Sequence, residues 1–152
     1  ILYRLVGSEM CIRDSYISAK ITLEIILGAT MGTLMMLNVW GIIWPNQKIV
    51  IGIKEGDAAV AGPKAALASR TNTLLSVGML YFMVASAHYP ASGQVLGANL
   101  EMPALFAGLA IIFAIEANAI WGKMLPAITS VRSVIVSSFV LCIVLSSVVY
   151  YI

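Results

Sequence analysis

Charge is what this chain has least of. Its 152 residues include nine Lys or Arg, seven Asp or Glu and a single histidine, against 61% hydrophobic residues. A net charge of +2 spread this thinly does not make a nucleic-acid-binding surface, and no acidic run marks a solvated tail. Cysteine is as scarce, since Cys11 and Cys142 offer no CxxC, no CxxCH and no zinc-ligand spacing. A disulfide framework and an in-chain c-type haem are excluded, and no metal site is expected. No internal repeat or low-complexity tract stands out.

What the chain has in quantity is apolar sequence. Its mean hydropathy of +0.97 belongs in a bilayer, where a spanning helix needs roughly 20 mostly apolar residues. Four segments qualify, at about Ile17–Trp44, Thr73–Tyr89, Pro103–Trp121 and Ser133–Ile152. The expected fold is all-α, a transmembrane helical bundle with about four spans. Gly28 and Gly32 form a GxxxG pair and Ala104 with Gly108 a small-xxx-small pair, each suited to close helix packing.

The segment "LVGSEMCIRDS", Leu5–Ser15, breaks the apolar pattern abruptly. It resembles the translation of a common transposase adapter in one reading frame. Residues 1–15 are therefore expected to be non-native, with 16–152 the membrane domain and the chain a fragment of something longer.

Lys and Arg in short loops mark the cytoplasmic side. The segment 46–72 holds Lys48, Lys54, Lys64 and Arg70, and 122–132 holds Lys123 and Arg132, whereas 90–102 contains neither. Loops 46–72 and 122–132 are expected to be cytoplasmic. In the first of these, Gly56 and Gly62 read as breakers, Pro63 as the first residue of a short interfacial helix, and Pro45 as the end of the first span.

Ionisable groups at membrane depth are costly, so each invites two readings. Glu24 shares a helix face with Gly28, Met31, Gly32, Met35 and Asn38, a face expected to look into the bundle. Its carboxylate reads as snorkelling to the interface or pairing with Lys20. Glu116 lies deeper, in "IIFAIEANAIW", and reads either as a protonated, hydrogen-bonded packing residue or as a group that moves a proton. His88, in "ASAHYP", reads as a capping or packing residue or as a redox-side ligand. These groups fall into two layers. The inner layer holds Asn38, Trp40, Trp44, Asn46, Gln47, Arg70, Asn72, Glu116, Asn118 and Trp121, and the outer one Glu24, His88 and Tyr89.

"NVWGIIWPNQK" (Asn38–Lys48) followed by "ASRTNTLLSVGMLYFMVASAHYP" (68–90) resembles the membrane domain of the integral-membrane urate oxidases, or urate hydroxylases. The matching positions are Trp44, Pro45, Asn46 and Gln47, then Ser69, Arg70, Asn72 and Thr73, then His88, Tyr89 and Pro90. The resemblance implies oxidation of urate in a bacterial inner membrane, with electrons passed to a cytochrome c domain or partner that supplies the haem. This chain departs from the family in lacking a CxxCH segment and in having fewer spans. Planar, anionic urate calls for a guanidinium fork, amides and an aromatic face, which Arg70, Asn46, Gln47, Asn72 and Trp44 could supply. Glu116 is then the proton-handling candidate, and His88 with Tyr89 the redox-side or haem candidates. The same residues also suit an interface belt, with Trp at the headgroups, and a non-enzymatic membrane subunit of an electron-transfer complex is the alternative function.

Overall fold

The computed structural model describes residues 22–88 and 102–151. Among these every regular element is helical: α1 (Leu23–Asn38), a π-helical turn (Val39–Ile43), α2 (Trp44–Val50), α3 (Ala58–His88), α4 (Met102–Trp121), a short α5 (Pro126–Thr129) and α6 (Val131–Tyr151). Three helical stretches are long and apolar enough to cross a membrane, namely Leu23–Val50, Pro103–Trp121 and Val131–Tyr151. The first agrees with the expected span but runs on to Val50, and residues 17–21 lie outside the described residues. The other two agree to within a residue or two.

Pro45 does not end the first helix. It has no N–H to donate and its ring crowds the carbonyl four residues back. The π-turn just before it widens the helix, with Trp44 N–H bonding Val39 C=O five residues back. Pro45 then falls in the first turn of α2, where a missing donor is tolerated, so the chain continues as one rod of 28 residues.

That rod stops at Gly52. Ile53 N–H reaches back to Lys48 C=O at 2.9 Å across Gly52, whose φ of +78° suits a residue without a Cβ. Asp57 then starts the next helix. Its carboxylate accepts from Ala59 N–H at 2.8 Å, and its carbonyl from Ala61 N–H at 3.0 Å. The helix therefore begins at Ala58, ahead of Pro63, and passes through Gly62 and Pro63 without a break. The expected interfacial helix and the expected second span are thus a single 31-residue helix, and the sequence reading of Gly62 as a breaker and Pro63 as a helix start is corrected.

α3 is the centre of the bundle, touching α1, α2, α4, α5 and α6. Polar residues along its length keep it out of the set of strongly apolar helices, yet it runs antiparallel along the whole first rod: Gly28 packs on Met83, Gly32 on Met79 and Gly62 against Val50. The core joins Leu27 and Met31 of α1, Leu75 and Phe82 of α3, Ile112 of α4 and Leu145 of α6. Gly108 lets Leu27 pack closely on α4. Ser138 Oγ donates to the Leu74 carbonyl at 2.8 Å, and the Tyr81 and Tyr150 hydroxyls meet at 3.3 Å, both joining α3 to α6. Ile128 of α5 plugs one end of the bundle against Leu67 and Val134. Apolar side chains that face outward, such as Phe106, Phe113, Phe139 and Ile143, form the surface a lipid would cover.

The face from Glu24 to Asn38 does look inward. Glu24, Leu27, Gly28, Met31 and Asn38 are all buried. Glu24 is fully buried, so its carboxyl does not snorkel to an interface. Lys20 lies outside the described residues.

Candidate functional site

Polar side chains are few inside the bundle, and three of them meet. Asn38 closes α1, Asn72 sits midway along α3, and Glu116 belongs to the last turns of α4. Asn38 is 2% exposed and Glu116 6%. Asn38 Nδ2 donates one hydrogen to Asn72 Oδ1 at 3.0 Å and the other to Glu116 Oε2 at 3.1 Å. Asn72 Nδ2 in turn donates to the Met35 carbonyl at 3.0 Å.

Asn38 lies about 22 Å along the rod from Leu23 at a rise of 1.5 Å per residue, which is inside a hydrocarbon layer about 30 Å thick. At that depth an unsatisfied amide or carboxyl is expensive, which favours this mutual pairing. Two amides and a carboxyl in one contact, with Asn72 half-buried beside the buried pair, can accept, donate and exchange a proton with a bound group.

The other candidate residues gather less well. Trp44 is half exposed, with Trp40 edge-on at 5.2 Å and Lys48 Nζ 3.7 Å over its ring. The aromatic face expected to stack a purine thus carries the chain's own ammonium. Trp40 and Trp44 lie about 26 and 32 Å from Leu23, at the level where tryptophans favour the membrane interface. Asn46 turns its amide back to the Ile42 carbonyl at 2.7 Å, and Gln47 is exposed. Arg70 is half-buried. Two residues from Asn72, it points about 200° around α3 from it, away from the α1 side. Asn118 donates to the Lys123 carbonyl at the end of α4, and Trp121 is 81% exposed.

His88 ends α3 and is exposed. It stands about 24 Å from Asn72 along the helix axis, so the two layers remain separate. Tyr89 and Pro90 lie outside the described residues. No group of three or more His, Cys, Asp or Glu able to hold a metal ion occurs among the described residues.

With this geometry the family can be assigned. A family model described as urate oxidase N-terminal matches residues 8–146. The chain belongs to the urate oxidase N-terminal family. No curated protein and no solved structure matches it. The match takes in part of the segment expected to be non-native, a segment outside the described residues.

Within this urate oxidase N-terminal domain, the structure joins Asn72 and Glu116, two of the sequence-predicted site residues, through a third that was not among them. Asn38 shares the inward face of Glu24 and the inner layer of Glu116, the two signals that point to it. Spacing within one helix carries no information about a partner on another, which is why its role as the bridge is legible only in the fold.

Proposed function

We propose that this chain is the membrane part of a urate oxidase, in which urate is oxidised near the inner end of the bundle and electrons leave to a cytochrome c domain or partner. Glu116 exchanges a proton with the purine, and Asn72 holds it through its amide. Arg70, with the other cations of the inner loops, draws the anion toward that end by its charge. His88, at the far end of α3, serves the side where electrons exit together with its chain neighbour Tyr89, and the haem belongs to the cytochrome. The observation that carries this reading is the contact of the buried Asn38 and Glu116 with the half-buried Asn72, drawn from three helices of a chain in the urate oxidase N-terminal family.

The test is urate-dependent reduction of cytochrome c by the full-length protein in membranes. Loss of a positioned proton-transfer group reduces turnover by about 100-fold or more, so Glu116→Gln lowers kcat by that amount. Wild-type turnover in Glu116→Gln refutes the site. Absence of any urate-dependent reduction by the wild type refutes the activity.

A second reading, a non-enzymatic subunit that scaffolds an electron-transfer complex, is favoured by a different observation. Lys48 covers Trp44, Asn46 binds its own helix and Arg70 points away from Asn72, so the residues suited to a purine do not converge. On that reading the complex transfers electrons at an unchanged rate in Glu116→Gln.

A further inference from the structure

Asn38 is built into the bundle as a junction. A carboxamide nitrogen has two hydrogens to donate, and both are engaged, one on α3 and one on α4. Turning the amide in either direction breaks one of these bonds. Asn72 is fixed a second time by its own donation to the Met35 carbonyl, nearly one turn above Asn38 on α1. The result is a closed circuit from α1 to α3 and back, with a single branch to Glu116. That branch ends on Oε2 only. The other carboxyl oxygen makes no hydrogen bond with a described residue, nor does Asn38 Oδ1.

The backbone adds to this. Asn38 is the last residue of α1, and the π-turn begins at the next position. A π-turn inside an α-helix changes the direction in which side chains above and below it project, and such turns recur at functional sites. Here the side chain above the turn points into the bundle at 2% exposure, while Trp40 within it is 64% exposed.

We infer that Asn38 is the positioning residue of the inner site: it holds the Glu116 carboxyl by one oxygen, so that the free oxygen is presented in a fixed direction for proton exchange. Asn38 acts through Glu116, Asn72 being held as well by the Met35 carbonyl, and does not itself take the proton. This inference rests on the proposed urate chemistry for its catalytic meaning. The geometric part stands apart from it, because it concerns only how one carboxyl is held.

The experiment uses the full-length protein with Asn38→Leu, which is similar in size but donates nothing, and Asn38→Gln, which keeps the amide on a longer stem. Misplacing a catalytic group by about 1 Å can lower turnover by about 100-fold. The expected result is therefore a fall in kcat of that order in Asn38→Leu, with KM within about threefold of wild type, since Glu116 acts in the chemical step. Asn38→Gln recovers part of the loss. A purely structural role would lower the yield of folded protein and leave the kcat of what folds unchanged, and that result overturns the inference.

Infrared difference spectra give a readout that needs no activity. The carboxyl band of Glu116 is identified by its disappearance in Glu116→Gln. It shifts in Asn38→Leu, or in Asn38→Gln should the leucine variant not fold, because the hydrogen bond to Oε2 is lost or displaced. A band that stays in place overturns the inference, whether or not urate is the substrate. A wild-type protein without urate-dependent reduction, but with a band that shifts, refutes the proposed function and leaves Asn38 as the group that positions Glu116.

Discussion

The two glycines of the GxxxG pair respond oppositely to the same substitution. A Cβ built on Gly28 lies 3.1 Å from Met83 Cγ and 3.2 Å from both the Sδ and the backbone nitrogen of Met83. Carbon contacts are optimal at about 3.5–4.0 Å. The thioether can swing aside, but the backbone nitrogen moves only if α3 moves. Overpacking of this kind costs about 1–3 kcal/mol, against a helix-propensity gain of about 0.8–1.0 kcal/mol for Ala over Gly. Gly28→Ala is therefore destabilising by about 0–2 kcal/mol. At Gly32 the nearest atom to the new Cβ is Met79 Cγ at 3.8 Å, an ordinary contact. There the propensity gain stands unopposed, and Gly32→Ala stabilises by about 0.5–1 kcal/mol. Reversible unfolding of both variants in the same mixed micelles, followed by loss of helical circular dichroism, measures the difference. The reasoning fails if Gly28→Ala is as stable as Gly32→Ala.

Other outcomes follow from the same geometry. Asp57→Ala removes the cap at the start of α3 and lowers stability by about 0.5–2 kcal/mol, read in the same micelles, with the first turns of the helix exchanging amide hydrogens faster. A double-mutant cycle of Asn38→Leu and Glu116→Leu returns a coupling of about 0.6–1.7 kcal/mol, the range for hydrogen bonds between membrane helices; zero coupling would mean that the contact at 3.1 Å is not energetically real. Arg70→Ala in the full-length protein reduces urate-dependent cytochrome reduction mainly through KM, and unchanged turnover at low urate removes Arg70 from the proposal. Replacing Lys48 by Gln leaves Trp44 without its ammonium neighbour, weakening the contact by about 0.5–1 kcal/mol, seen as a change in Trp fluorescence.

Much of the architecture is legible in the residues themselves. Apolar length locates the long helices, and the spacing from Glu24 to Asn38 identifies a buried face, because both are properties of one helix at a time. The two prolines are read less well. Whether Pro45 ends a helix depends on whether the turn before it can widen, and whether Pro63 starts one depends on Asp57 six positions earlier; neither is encoded at the proline. The site divides in the same way. Glu116 announces itself as a polar group among apolar neighbours, and Asn72 through the Ser69–Thr73 segment that carries the family resemblance. The Lys48 ammonium over Trp44 and the bridging amide of Asn38 are relations between side chains, set by π-turn geometry and by which residues of α1 and α3 lie level.

The length of α3 has a mechanical consequence. Its 31 residues extend about 46 Å at 1.5 Å per residue, whereas the hydrocarbon layer is about 30 Å deep. Tilting alone cannot absorb the excess, since even about 40° of lean still projects some 35 Å. A helix of that length outreaches such a layer, so its polar first turns, with the end of α2 beside them, form a raised end of the bundle. That raised end belongs to the helix that touches every other helix of the bundle, and His88 closes its opposite end.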